Sequence, residues 1–111
     1  MDIRTTPNTK YVKGVRWLVE LYEKKQISSS AAQTLNQAVE YEVHHAQTQL
    51  LEIEKILAGY EKQFNVVTAD FLKLYRAGKT DDSAESIEWA SLAQMADNLR
   101  KRLALISEEA G

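Results

Sequence analysis

The 111-residue chain has no cysteine, one proline and four glycines, and each shortage removes a class of protein. Without cysteine there is no disulfide, no thiol nucleophile and no thiolate zinc site, a usage that fits work in the reducing cytoplasm. So little turn-forming material argues against a β-rich or disordered chain. Long apolar runs are missing too. Nothing approaches the roughly 20 apolar residues of a membrane span, and the opening MDIRTTPNTK has no apolar stretch of the signal-peptide kind. Secretion and membrane insertion are therefore not expected. Charge of one sign is also in short supply: the net of −2 is the sum of +3 over residues 1–26, −6 over residues 27–99 and +1 over the last twelve. An acidic middle disfavours general binding to nucleic acid, although the basic first segment leaves a local contact open.

What is present is helical periodicity. With 44% hydrophobic and 27% charged residues, the composition is that of one globular domain spanning 1–111. Val12, Val15, Val19 and Tyr22, widened by Leu18, fall three or four apart and predict a first helix over 9–26. The run Ser28, Ser29, Ser30 breaks this pattern. Ser30 with Gln33 forms a capping box, which predicts a long second helix over 30–64 with Gly59 inside it.

That second helix carries the strongest regularity in the chain. Ala32, Asn36, Val39, Val43, Ala46, Leu50, Ile53, Leu57, Tyr60 and Phe64 alternate spacings of four and three, the signature of a heptad seam. Asn36 is its lone polar member, in the kind of position where one buried amide fixes the register of an oligomer. The flanking e positions, Gln33, Glu40, Gln47, Glu54 and Glu61, are neutral or acidic, so a partner helix with basic flanks suits the seam better than a parallel copy of itself.

The complement lies further along. Thr68 is placed to cap a short helix over 68–77, with Val67 and Leu72 as a hydrophobic staple and Gly78 as a left-handed stop. Asp82 and Glu85 then open a helix over 83–107, in which Trp89, Leu92, Ala96, Leu99, Leu103 and Ile106 repeat the seam. In an antiparallel hairpin Arg100 would lie near Gln47 to Glu54. The expected fold class is all-α: a helical bundle built on one long heptad-patterned helix, with a C-terminal antiparallel helix and a short connecting helix.

Chemistry is hard to find in this pattern. Glu42 and His45 have the Glu-x-x-His spacing of di-iron bundles, but the second pair and the extra carboxylates are missing, and the heptad phase puts both residues outside the seam. No glycine-framed serine and no phosphate-cradling glycine loop occurs. Asp81 and Asp82 read as capping and solvation. No metal, no cofactor and no enzymatic activity are expected. The first helix mixes Lys10, Tyr11, Lys13, Arg16, Trp17, Tyr22, Lys24 and Lys25. Its charge is small for a nucleic-acid footprint, so Trp17 and Tyr22 are expected in the core and the bases on a solvated face.

Over residues 61–105, Phe71, Leu72, the Arg76, Ala77, Gly78 turn, Asp81, Asp82, the Glu88, Trp89 pair and the leucine-rich final helix resemble a C-terminal module of small helical bacterial and archaeal proteins. These are antitoxin-like partners encoded beside a toxin gene. The resemblance implies an all-helical antitoxin of a toxin-antitoxin system, one that binds and neutralises a cognate toxin. No ribbon strand or helix-turn-helix is readable in the N-terminal half, so transcriptional autoregulation is not part of the expectation. The residues expected to meet a protein partner are Leu35, Leu50, Leu51, Ile56, Leu57, Phe71, Trp89 and Leu92, with Asn36 setting register in any oligomer. The other reading of the same helices is a coiled-coil homo-oligomeric structural protein, including a possible homodimer, or a small helical subunit of a larger protein or ribonucleoprotein complex.

Overall fold

The structure, a computed structural model, describes the backbone of residues 9–110 and the side chains of residues 14–107. Among the described residues it contains four helices and no strand: α1 (Thr9–Glu23), α2 (Ser29–Phe64), α3 (Thr68–Arg76) and α4 (Ala84–Ala110). The fold class is all-α, as the periodicity predicts. None of these helices is long and apolar enough to cross a membrane. The chain divides into two compact units, residues 1–40 and residues 41–111.

In the first unit, α1 stops earlier than the predicted residue 26. Lys25 adopts a left-handed conformation (φ 58°). The Lys25 N–H then bonds the Tyr22 carbonyl at 3.1 Å and the Gln26 N–H bonds the Leu21 carbonyl at 2.8 Å, the paired closure of a Schellman turn. The apolar stripe of α1 stays uncovered, because Val15, Val19 and Tyr22 are 58%, 49% and 65% exposed. Trp17 is 69% exposed, so neither it nor Tyr22 is core, contrary to the expectation from composition. The side chains of Val12, Lys10, Tyr11 and Lys13 lie outside the described residues.

The start of α2 is also displaced. Ser28, rather than Ser30, is the cap: its hydroxyl accepts from the Ala31 N–H at 3.1 Å and its carbonyl from the Ala32 N–H at 2.9 Å. Three consecutive serines are chemically equivalent candidates. Capping at Ser28 puts Ile27 and Ala32, both half-buried, at the two staple positions, which capping at Ser30 would not. Ser30 instead accepts a bond at its carbonyl from the Thr34 hydroxyl at 3.1 Å.

In the second unit the seam closes against α4. Ala46, Ile53 and Leu57 from α2 are buried together with Trp89, Ala93, Ala96 and Leu99 from α4 and Phe71 from α3, and Leu50, Tyr60, Leu72, Leu92 and Leu103 pack around them. The helices run antiparallel. Glu54 meets Arg100 at 3.1 Å, whereas Tyr60, further along α2, stacks on Trp89, earlier in α4. The Glu54–Arg100 pair answers the acidic flank of the seam, but both side chains are about half exposed, so it selects orientation and contributes under ~1 kcal/mol. Burial does the stabilising, at roughly 1.5–3 kcal/mol for each large aliphatic side chain such as Ile53 or Leu57.

Both ends of α3 are fixed. Asn65 (φ 56°) closes α2, with the Val66 N–H bonded to the Glu61 carbonyl. The N-cap of α3 is Val67, which offers no side-chain bond, so Thr68 is the first helical residue and not the cap. The staple moves with it. Val66 and the buried Phe71 occupy the two positions in place of the predicted Val67 and Leu72, and Val67 is 54% exposed. At the other end Gly78 stands left-handed at φ 70°, as predicted, and the Gly78 and Lys79 N–H groups bond the Tyr75 and Leu74 carbonyls.

Candidate interaction surfaces

Two polar nodes hold the second unit together at its aromatic end. The first joins three helices through Thr68. Its backbone N–H donates to Glu61 Oε2 at 2.7 Å, supplying from α2 the cap that Val67 lacks. Its hydroxyl oxygen accepts from the indole Nε1 of Trp89 at 3.0 Å. The bond from the Thr68 N–H, and after it the Thr68 hydroxyl turned toward the same carboxylate, hold the Glu61 carboxyl below its usual range.

The second node is the junction between α3 and α4. Asp81 Oδ1 accepts three bonds: from the Ser86 hydroxyl at 2.7 Å, the Ser83 hydroxyl at 2.8 Å and the Ser83 N–H at 3.2 Å. Ser83 in turn caps α4, accepting at Oγ from the Ser86 N–H at 3.1 Å. The cap of α4 is therefore Ser83 braced by Asp81, not Asp82 with Glu85. The same hydroxyls, that of Ser86 foremost, lower the Asp81 pKa.

Between the nodes lies a stack of rings. Trp89, 2% exposed, is parallel to Phe71 at 3.9 Å and is flanked by Tyr60 at 5.2 Å and Phe64 at 5.7 Å. The Tyr60 hydroxyl donates to Glu88 Oε1. That bond, helped by desolvation and by the charges of Glu88 and Glu85, pushes the Tyr60 pKa up to about 12.

Beside the stack, α2, α3 and α4 enclose an open groove of about 510 Å³. Leu57, Ala58, Ala69 and Leu72 line it with apolar surface, and Glu54, Arg100, Asp97 and Arg76 give it charges of both signs. Among the described residues, no group of three or more His, Cys, Asp or Glu is placed to hold a metal ion. Glu42, His44 and His45 are exposed, with the His45 ring stacked on Tyr41 at 5.9 Å.

The residues singled out in the sequence fall into two sets. Leu57, Phe71 and Trp89 are buried in the chain's own core, and Leu50 and Leu92 pack against it. Leu51 and Ile56 stand 57% and 46% exposed, Leu35 is half-buried, and Asn36 is exposed. Sequence reasoning missed Glu61 and Thr68 as a node, because six intervening residues and a chain reversal give no local signal. Asp81 and Ser83 carried one, since a serine three residues before Ser86 has the spacing of an N-cap.

The fold and these surfaces define an all-α protein organised around an antiparallel helical hairpin with an aromatic end. No protein family, curated protein or solved structure matches the chain.

Proposed function

We propose that this chain is an antitoxin-like protein-interaction module that binds a cognate toxin in the cytoplasm and neutralises it by laying amphipathic helices on its surface. The observation that carries the reading is apolar surface without cover: Val15, Trp17, Val19 and Tyr22 on α1, and Leu51 and Ile56 on α2, are all more than 45% exposed. Val15, Val19 and Tyr22, spaced four and three apart, share one face of α1, and an exposed apolar helix face marks an interaction site. The resemblance of residues 61–105 to antitoxin modules supplies the kind of partner. Leu57, Phe71 and Trp89 then serve by holding the hairpin in shape, while the exposed set makes contact. Co-expression with the product of the adjacent gene tests the reading. A stable complex and restored growth are expected; no complex and no rescue would refute it.

A second reading is favoured by one observation. The heptad seam continues through Asn36 and Val39, and Val39 is 48% exposed, as in a coiled coil awaiting a second strand. On that reading the chain is a homo-oligomeric structural protein. Light scattering across concentration, with Asn36→Leu beside the natural chain, separates the two: an oligomer changes state or stability, and a monomer stays a monomer.

A further inference from the structure

In the second unit α3 covers one side of the hairpin. Glu54 pairs with Arg100 on that side, where Ala69 and Leu72 of α3 share a groove with both residues. Ile56 lies across the α2 seam from Glu54, and Met95 lies across the α4 seam from Arg100. In an antiparallel pair those two positions fall on the same side of the hairpin. Ile56 and Met95 are 46% and 41% exposed, so the face opposite α3 has an apolar centre.

Charge surrounds that centre in a pattern that fits its own copy. Along α4, Glu88, Ser91, Met95, Asn98 and Arg102 follow at spacings of three and four and are all exposed, which sets them in one row. The row has an acid at its first end, a base at its last and neutral residues between. Met95 stands midway, two helical turns or about 10 Å from each charge. Turned end for end and laid against itself, the row brings each Arg102 to the other copy's Glu88 and the two Met95 side chains together.

We propose that this face binds a second copy of the chain, with the two α4 helices antiparallel about a two-fold axis at Met95. A two-fold contact needs a surface complementary to itself, and such a surface closes at two copies instead of growing into a fibre. The parallel arrangement is penalised, because Glu88 would meet Glu88 and Arg102 would meet Arg102. The inference rests on the homo-oligomeric reading and gives it a surface distinct from the Asn36 and Val39 stretch. Ile56 then belongs to the dimer, while Leu51 and the α1 face stay available to another protein.

The test is sedimentation velocity of the full chain from micromolar to millimolar concentration. The natural chain should dimerise. Arg102→Glu and Glu88→Arg should each raise the dimer dissociation constant at least tenfold. Met95→Lys, which sets two like charges on the axis, should do the same with unchanged far-ultraviolet circular dichroism. An equimolar mixture of Arg102→Glu and Glu88→Arg should regain the natural strength as a heterodimer, seen as the mixed mass in native mass spectrometry. That rescue also checks that the Glu88→Arg chain is folded without its bond from Tyr60. Weakening without rescue, or no weakening in either reversal, would overturn the proposal. Asn36→Leu separates this face from the seam: a dimer that changes with Asn36→Leu and ignores the reversals removes this face and leaves the homo-oligomeric reading standing. A chain monomeric throughout removes both and leaves the face to a partner of another kind.

Discussion

Replacing Thr68 by Val keeps the shape and β-branching of the side chain and removes one oxygen, so it isolates the three-helix node. The Trp89 indole N–H, in a side chain only 2% exposed, then loses its acceptor. A buried donor left without a partner costs about 1–3 kcal/mol, more than the 0.5–1.5 kcal/mol net worth of an ordinary hydrogen bond. With a urea dependence of about 1–2 kcal/mol per molar, the unfolding midpoint should fall by about 1 M. Thr68→Val also removes the hydroxyl beside Glu61, so the substitution is repeated in a Trp89→Phe background, where no indole N–H remains to be stranded. There it should cost about 1 kcal/mol less, and the difference is the coupling of the pair. Circular dichroism at 222 nm during urea unfolding reads both costs, and hydrogen exchange at the indole reads the node directly. If Thr68→Val costs the same in both backgrounds, the indole bond contributes nothing and the node is a geometric coincidence.

Four further outcomes are expected. Gly78→Ala should destabilise by about 1 kcal/mol, because φ 70° strains any side chain although no atom stands within 4 Å of the new Cβ. Gly59→Ala, inside α2 with equally open surroundings, should stabilise by about 0.5–1 kcal/mol, and thermal unfolding gives both signs. Ultraviolet titration of the tyrosines should find one group ionising near pH 12, brought back toward 10 by Glu88→Gln. Since the raised Tyr60 pKa favours the folded state only while the phenol is protonated, that contribution is complete below pH 10 and is lost as pH rises through about 12. Asp81 and Glu61 act in the opposite direction. Their lowered pKa values stabilise the fold above the unfolded carboxyl range near pH 4, and the contribution should be lost as pH falls below it, more shallowly in Asp81→Asn.

The parts of the fold legible in the sequence are those set by periodicity. The phase of the α2 seam places Ala46, Ile53 and Leu57 inside and Leu51 outside, and the basic Arg100 identifies the flank that meets Glu54, because helical spacing is a local property. Helix ends are less legible where several residues of one chemistry compete, as at Ser28 to Ser30, or where the cap comes from another element, as Glu61 does for Thr68. Periodicity is also blind to whose core a residue joins. Leu50, Leu57, Phe71, Trp89 and Leu92 have the spacing of partner anchors and of internal packing alike, and only the folding back of α4 assigns them to the chain's own interior. The converse holds for Trp17 and Tyr22. Their residue types suggest burial, but α1 leaves them outside.

The two tryptophans thereby form a natural pair of optical reporters. Trp17, 69% exposed and within residues 1–40, should emit at long wavelength and be quenched readily by iodide, whereas Trp89, 2% exposed and stacked on Phe71, should emit further to the blue and resist it. Trp17→Phe leaves light from the α3–α4 junction alone, and Trp89→Phe leaves light from α1 alone. A ligand arriving at either place announces which one it has chosen by the colour it changes, with no label attached.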